Sequence, residues 1–411
     1  MKISVFTLGC KTNFYESQQI ISALKQLGHQ ATDKLEKADV FVLNTCAITG
    51  EAERKSRQAV TRARRLNPDC RIVVMGCASQ HNAGQFEHLA NVSFVKGTTG
   101  KTNVADILDN VGVEVLPLEE KYSETLFAED QRTRSFVKIQ DGCNHFCSYC
   151  IVPYLRGRSR SRNIDDIVRE VNQCQSHEVV LIGIDITQFG KDNGTSLQQL
   201  FDALPQHKRY RLGSLEESAL TEEVLKSLKN KDFCPHFHLS LQSGSDSVLK
   251  RMNRHYTTDE FLKGVQLIRS YFPDAAFTTD VIVGFCGETE DEFLETCRFV
   301  EKVGFSDIHV FPYSPRVGTV AYRTMTDVDG ETKNRRAHEL GKIKESLKNK
   351  FLNQQMGKTK DVLAERCRNG LWEGYSSDYT RVYFKGNVSE GQIVNVVATE
   401  IFKDGVKGEL V

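Results

Sequence analysis

The sequence predicts an α/β protein in three parts: an N-terminal open parallel sheet, a central partial barrel of six β/α units, and a small antiparallel β-barrel at the C-terminal end. Over the first 110 residues, strand-sized apolar runs ending in Gly or Asn/Thr turns alternate with helical segments. The rhythm resumes at Ser135, and beyond Met356–Gly357 it gives way to alternating segments with Gly and Asn/Ser turns between them.

In the first part ISVFTLGC (3–10), DVFVLNTC (39–46) and RIVVMGC (71–77) read as buried parallel strands, with helices over Ser17–Leu27 and Ala52–Leu66. Residues 111–133 lose periodicity and turn acidic, as a linker or an edge excursion would. The barrel strands are SFVKIQ (135–140), EVVLIGI (178–184), YRLGSL (210–215), HFHLSLQ (236–242), FTTDVIVGF (277–285) and DIHVFPYS (307–314). Helices such as Ile164–Cys174, Asp259–Tyr271 and Asp291–Val303 separate them. Six units fall short of a closed eight-fold barrel, so this sheet is expected to stay open. A long helix over Glu331–Gln355 then leads into TKDVLAER, TRVYFKG, GQIVNVVATE and KGELV. The expected domains are 1–115, 134–356 and 357–411, with a linker over 116–133.

The 411 residues carry 54 Lys/Arg against 54 Asp/Glu, so any surface for a polyanion has to be local. MKISVFTLGC lacks a secretory pattern and the longest apolar runs are strand-sized, so a cytoplasmic protein without a membrane partner is expected. In a reducing compartment, 12 cysteines point to metal or thiolate chemistry rather than to disulfides.

Cys10, Cys46 and Cys77 each end an apolar strand. For any one of them a buried core thiol is the simpler account. Their shared placement favours convergence, because the carboxyl ends of parallel strands line one edge. Cys143, Cys147 and Cys150, in CNHFCSYC (143–150), follow the first barrel strand, again at a carboxyl end. A structural zinc needs a fourth ligand, and His145 is the near candidate, in steric competition with the loop thiols. Three thiolates on a four-iron cluster instead leave one iron open for a cofactor. Cys70, Cys174, Cys234, Cys286, Cys297 and Cys367 have no partner spacing and read as core or incidental thiols.

CxxxCxxC with Tyr149 before its last cysteine resembles a radical S-adenosylmethionine (SAM) enzyme. Further motifs are GCK-N (9–13), NTCAIT (44–49), GC (76–77), CNHFCSYCIVPYLRGRSRSR (143–162), HFHLSLQSGSDSVLKRMNRHYT (236–257) and FPYSPRVGT (311–319). With these, nearly the whole chain resembles the methylthiotransferase family. The resemblance implies a radical SAM barrel in the centre and a TRAM-like RNA-binding module at the end. It implies one [4Fe–4S] cluster on Cys143, Cys147 and Cys150 whose open iron binds SAM, and a second on Cys10, Cys46 and Cys77. No catalytic residue is expected beyond these ligands, because the cofactors carry the radical and sulfur chemistry.

The same motifs suggest SAM contacts at Tyr149, Gly183, Asp185, Gln242, Ser243, Gly284 and Glu288. Turn geometry for the glycines and helix capping for Ser243 are the alternatives. Family members methylthiolate isopentenyladenosine in tRNA, threonylcarbamoyladenosine in tRNA, or an aspartate of a ribosomal protein. Lys11 after Cys10 and the NTCAIT run resemble the threonylcarbamoyladenosine branch. One departure stands out: GFCGET (284–289) has Cys286 where the family carries proline, which loosens the turn and adds a thiol beside the expected SAM pocket.

The implied partners are the anticodon stem-loop of tRNA and an electron donor such as flavodoxin or ferredoxin. Two basic runs are candidates for phosphate contact. Arg54, Lys55, Arg57, Arg62, Arg64 and Arg65 decorate the helix after Cys46, with Ala59, Ala63 and Leu66 as the inward stripe. Arg156, Arg158, Arg160 and Arg162 follow the radical SAM loop, where they could also bind the SAM carboxylate or pair with Asp165, Asp166 and Glu170. Tyr375, Tyr379, Tyr383 and Phe384 serve either as base-stacking or as core aromatics. A reading from another class, a non-catalytic metal-binding RNA-binding protein, explains the thiols and the terminal barrel but not the partial barrel.

Overall fold

The computed structural model describes residues 1–128 and 133–411. Its first six strands are β1 (Lys2–Thr7), β2 (Gln30–Thr32), β3 (Val40–Thr45), β4 (Arg71–Gly76), β5 (Val92–Lys96) and β6 (Gly112–Glu114). They form one parallel sheet in the order β2–β1–β3–β4–β5–β6. The central β3 is buried at every position because both its faces are covered, the arrangement that parallel sheets require. Val40 and Val42 pack toward Ile20, Ile21 and Leu24 of α1 (Lys11–Gln26), whereas Phe41 and Leu43 pack toward Ala59, Val60 and Ala63 of α2 (Gly50–Leu66).

The three strands expected here are present. β2 and β6 are three-residue edge strands, too short to show a period, and β6 makes the start of the 111–133 stretch an edge excursion. The end of the expected linker, 129–132, lies outside the described residues. Helix α1 begins at Lys11 rather than Ser17, because Thr12, Asn13 and Glu16 are polar yet buried and hide its inward face from pattern reading.

The central part contains β7 (Arg134–Lys138), β8 (Gln140–Asp141), β9 (Arg160–Ser161), β10 (Glu178–Ile182), β11 (Arg209–Leu212), β12 (Asp232–Phe233), β13 (His236–His238), β14 (Ala276–Val283) and β15 (Asp307–Pro312). Parallel pairing runs β7–β10–β11–β12 and β13–β14–β15, and a single bridge, Leu215–Leu239, joins the two arcs. The six expected strands thus make an open, once-broken barrel. Their outward residues, such as Val137, Leu181 and Val281, share one core with the surrounding helices. β8 and β9 pair as a two-residue antiparallel ribbon that clasps the intervening cysteine loop.

The last five strands, β16 (Thr359–Arg368), β17 (Leu371–Ser376), β18 (Arg381–Lys385), β19 (Ile393–Phe402) and β20 (Gly405–Leu410), close into a barrel in the order β16–β17–β18–β20–β19. One pairing, β18–β20, is parallel, which corrects the wholly antiparallel expectation: β19 crosses the barrel first, so β20 returns alongside β18 in the same direction. β17 escaped sequence reading because Gly374 interrupts it. Only glycine fits there, since a Cβ would lie 1.9 Å from the Leu363 carbonyl oxygen.

This barrel docks on the central one. Tyr379 stacks on His236 at 4.5 Å between ring centroids and on Tyr375 at 4.6 Å. Tyr383 packs edge-on against Phe402, and Phe384 is fully buried. Of the two expected roles, all four aromatics take up the packing one here. Arg211 donates to the Ser376 and Ser377 carbonyls at 3.1 Å, and Arg209 to Asp361 at 3.1 Å.

Beneath the seam Glu178 is buried among Arg134, Arg209 and Arg211. Burial alone would raise its pKa, but the charges of Arg211, Arg134 and Arg209 hold it far below the usual carboxylate range. A depressed carboxylate stabilises above its unfolded pKa of about 4.3 and loses that contribution as pH falls toward its folded value. The unfolding temperature should therefore drop steeply below about pH 4, and Glu178→Gln should lower it at neutral pH while flattening that acid limb. Among the described residues, no helix is long and apolar enough to cross a membrane.

Candidate active site

The first thiol triad is assembled at the carboxyl edge of the N-terminal sheet. Cys10 caps α1, Cys46 follows β3, and Cys77 opens the short helix after β4. Gly9 (φ +102°) makes their approach feasible: a Cβ there would lie 2.7 Å from Cys46 Cβ and 2.8 Å from its Sγ. Asn13 ties the edge together by donating to the Leu8 carbonyl at 2.9 Å and the Thr45 carbonyl at 2.8 Å. Burial first, and then the neighbouring Cys77 and Cys10, push the Cys46 thiol up to about 11, so the three share one electrostatic neighbourhood.

The second triad lies in the loop clasped by the β8–β9 ribbon, where the Cys143 amide also donates to the Gly157 carbonyl at 3.1 Å. A segment from 251 to 254 braces the loop from outside. Ser148 donates to the Arg251 carbonyl at 2.8 Å, and Asn253 to the His145 and Phe146 carbonyls at 3.2 and 3.1 Å. Arg254 Nη1 donates to Cys147 Sγ at 3.3 Å, and the His145 amide to Cys143 Sγ at 3.5 Å. Burial, then the charge of Cys147, pushes the Cys150 thiol up to about 12.

All six cysteines are free thiols, and N–H donors face Cys46, Cys143, Cys147 and Cys150. Cys46, Cys143 and Cys150, which burial makes harder to ionise and which N–H donors nonetheless face, suit thiolates neutralised by iron. His145 does not complete a zinc site: its Nε2 lies 3.0 Å from Asp185 and 3.6 Å from Glu216, and the Asp185 hydrogen bond raises its pKa.

Of the expected SAM residues, the structure brings Asp185 to the second triad, 3.5 Å from Cys143 Sγ, with its amide held by Gln140 at 2.7 Å. Gly183 leaves room for that glutamine, since a Cβ would stand 2.9 Å from Gln140 Oε1. Tyr149 packs edge-on against Phe285. Gln242, in left-handed backbone (φ +65°), bridges to Val281 on β14.

Three of the expected residues have internal partners. Ser243 is fully buried, 3.2 Å from Thr296 Oγ1. Glu288 accepts from the Gly284 amide at 2.6 Å and from Arg336 at 2.8 Å, and Gly284 itself gives passage to Lys333. Cys286 is buried in the apolar cluster of Phe285 and Tyr313, and the Glu288 amide closes its turn onto the Phe285 carbonyl at 2.9 Å without proline.

The basic runs divide. Arg54, Arg57 and Arg62 are exposed on α2, as is Arg158, which lies 4.3 Å over the Phe146 ring. Ala59 and Ala63 do face inward, but Leu66 is exposed. Arg156, Arg160 and Arg162 are buried at 3%, 6% and 2% exposure, which corrects their reading as phosphate contacts. Arg156 bonds Glu16 at 2.5 Å, Asp141 at 3.0 Å and Asn13 at 2.5 Å; Arg162 pairs with Glu170, to which Tyr15 donates at 2.9 Å. Lys101 and Lys138 complete the cluster around Glu16. Burial opposes its ionisation, yet Arg156, Lys101 and Lys138 hold it well below the usual carboxylate range. This network locks α1 to the radical loop and therefore sets one triad relative to the other. Sequence reasoning missed Glu16 and Asp141.

Inside the open barrel lies a cavity of about 510 Å³. α1 contributes Lys11, the strands contribute Arg211, His236, His238, Asp280 and His309, and the C-terminal barrel contributes Tyr379 and Thr380. The cavity begins at the residue next to Cys10 and ends at the aromatic seam.

Residues 137–300 match the Radical SAM superfamily and residues 2–97 the Uncharacterized protein family UPF0004. The chain is 36% identical to the threonylcarbamoyladenosine tRNA methylthiotransferase MtaB of Bacillus subtilis (strain 168), over 98% of this chain and 94% of that protein. The chain belongs to the radical SAM tRNA methylthiotransferase family.

The MtaB of Thermotoga maritima is 34% identical over 98% of this methylthiotransferase and 96% of its own length. The tRNA-2-methylthio-N(6)-dimethylallyladenosine synthase of Dictyoglomus thermophilum is 32% identical over 100% and 98%. Among solved structures, the radical SAM methyltransferase TsrM from Kitasatospora setae, with tryptophan substrate and a SAM analogue bound, superposes with a TM-score of 0.55 at 12% identity. It covers 77% of this chain and 75% of that one, a likeness of fold alone. The methylthiotransferase is thus a radical SAM enzyme, which removes the non-catalytic reading.

Proposed function

We propose that this enzyme installs a methylthio group at C2 of N6-threonylcarbamoyladenosine 3′ to the anticodon, using SAM as both radical source and methyl donor. The observation that carries this reading is the pair of thiol triads, joined through the Glu16–Arg156–Asp141 network, with a polar lumen that begins beside Cys10. Cys143, Cys147 and Cys150 would hold the cluster that binds SAM, and Cys10, Cys46 and Cys77 the second. When bound, these groups supply the electron, the radical and the sulfur.

The chain's own residues position and shield. Arg254 directs an N–H at Cys147 while it pairs with Glu216 at 2.5 Å, which fixes the sulfur's environment. Asp185 and His145 stand beside Cys143 as polar contacts for a bound cofactor. Exposed Arg54, Arg57, Arg62 and Arg158 would face tRNA phosphates, and a flavodoxin or ferredoxin would supply electrons in the cytoplasm. The working units are 1–115, 134–356 and 357–411, with 116–133 between them.

The substrate branch is supported by the two MtaB relatives and by the lumen. A prenyl group gains little in a cavity of charged and imidazole side chains, and would leave their polar atoms without partners. The test is mass spectrometry of tRNA nucleosides from a host lacking its own methylthiotransferases, with and without this gene. The expected product is 2-methylthio-N6-threonylcarbamoyladenosine. The isopentenyl product would keep the enzyme class and overturn the substrate.

A further inference from the structure

Most charges on the lumen wall have ion-pair partners. Arg211 pairs with Glu178 at 3.0 Å, and Asp280 stands 3.4 Å from His238. Asp307 meets Lys348 at 2.9 Å, and Arg381 meets Asp404 at 2.7 Å. Lys11 is exposed and lines the cavity, yet among the described residues it donates no hydrogen bond and forms no ion pair. His236 and Thr380, 5% and 2% exposed, close the far end of the wall, with His236 Nε2 2.9 Å from Thr278 Oγ1.

An ammonium without an ion-pair partner, on the wall of a cavity lined by charged and imidazole side chains, is a ready contact for an anionic ligand. A ligand that answers Lys11 has to be anionic. It has to enter beside Cys10, since the helix that places Lys11 on the wall begins at that thiol.

We infer that the lumen is a subsite for the carboxylate-bearing N6 substituent of the target adenosine, with Lys11 as the counter-ion of its carboxylate. The inference rests on the substrate reading given above and adds the contact that would enforce it. Lys11 is then a specificity-determining residue. A neutral apolar substituent would leave it unpaired in the cavity, and a site built to bond a polar group discriminates strongly against analogues that lack it. Asp280 does not decide the balance, because Arg211 and Arg134 act on Lys11 more strongly than Asp280 does and leave its surroundings net positive.

The test measures binding of the iron-loaded, full-length enzyme to an anticodon stem-loop carrying threonylcarbamoyladenosine, the same stem-loop with that carboxylate as a methyl ester, and the unmodified stem-loop. Wild-type enzyme should bind the acid roughly ten- to hundred-fold more tightly than the ester, the scale of a hydrogen bond to a charged group. Lys11→Met should bind acid and ester alike, Lys11→Arg should keep most of the preference, and both should retain wild-type iron content and SAM affinity. A Lys11→Met enzyme that still prefers the acid overturns the inference and leaves the substrate reading standing. So does a defect confined to SAM affinity, which would assign Lys11 to the SAM carboxylate instead. A wild-type enzyme with no preference for the modified stem-loop over the unmodified one overturns both.

Discussion

Cys147→Ala is expected to abolish cleavage of SAM, whereas Cys46→Ala should retain cleavage and lose sulfur insertion. The two thiols serve separate triads, one in the loop clasped by β8 and β9 and one at the edge of the N-terminal sheet. Alanine removes the ligand without offering an oxygen in its place. Either variant should fall from about eight to about four iron atoms per chain, as expected for the loss of one of two four-iron clusters. The discriminating measurement is 5′-deoxyadenosine formed under reducing conditions, set against methylthiolated nucleoside from the same reaction. Cleavage should fall below detection in the first variant and stay within a few-fold of wild type in the second. Unchanged cleavage without Cys147 would remove the loop from the cofactor site.

Arg156→Met should be the most damaging change that touches no proposed ligand. Arg156 is 3% exposed and bonds Glu16, Asp141 and Asn13 across the seam between the first two parts of the chain. Its removal leaves two buried carboxylates sharing Lys101 and Lys138. Breaking a buried ion pair by deleting one partner costs about 3–5 kcal/mol. In a chain of this size the cost should show as a lowered first unfolding transition rather than as one global free energy. The double variant Arg156→Met/Glu16→Gln should recover part of the loss, because the stranded charge goes with its partner. Its charge also acts on Cys46 and Cys77, so the single variant should hold iron on the first triad less well than on the second. A transition unchanged from wild type would mean that the network stabilises nothing.

The parts of the fold legible in the sequence are those governed by local rules. β3 and β4 announce themselves as continuous Val, Ile and Leu runs because both their faces are buried, and the six cysteines stand out by their strand-end and loop spacing. β17 was hidden by Gly374, whose lack of a side chain is dictated by a neighbouring carbonyl rather than by its own strand. The arginine run at 156–162 left phosphate contact and carboxylate pairing both open, and of its pairs only Arg162–Glu170 was nameable from the sequence. Alternate arginines look like a strip for phosphates, but β9 turns Arg160 inward, Arg162 meets Glu170, and Arg156 finds a carboxylate on α1 from another part of the chain. Glu16 could not be singled out for the same reason: its partners are 85 to 140 residues away. The lumen was half visible. His236 and His238, Thr278 and Asp280, and Asp307 and His309 recur every second residue, yet only the curvature of the sheet turns them toward one cavity.

With Tyr379 stacked on His236 and Arg211 bonded to the Ser376 and Ser377 carbonyls, the C-terminal barrel is a fixed jaw and not a tethered one. A flexible tether would raise the local concentration of a bound ligand over a spread of distances. A fixed jaw works as a gauge. It accepts a ligand only when the span between the gripped part and the part offered to the lumen matches its own opening. A long nucleic acid held in this way is selected by length and bend before any base is read.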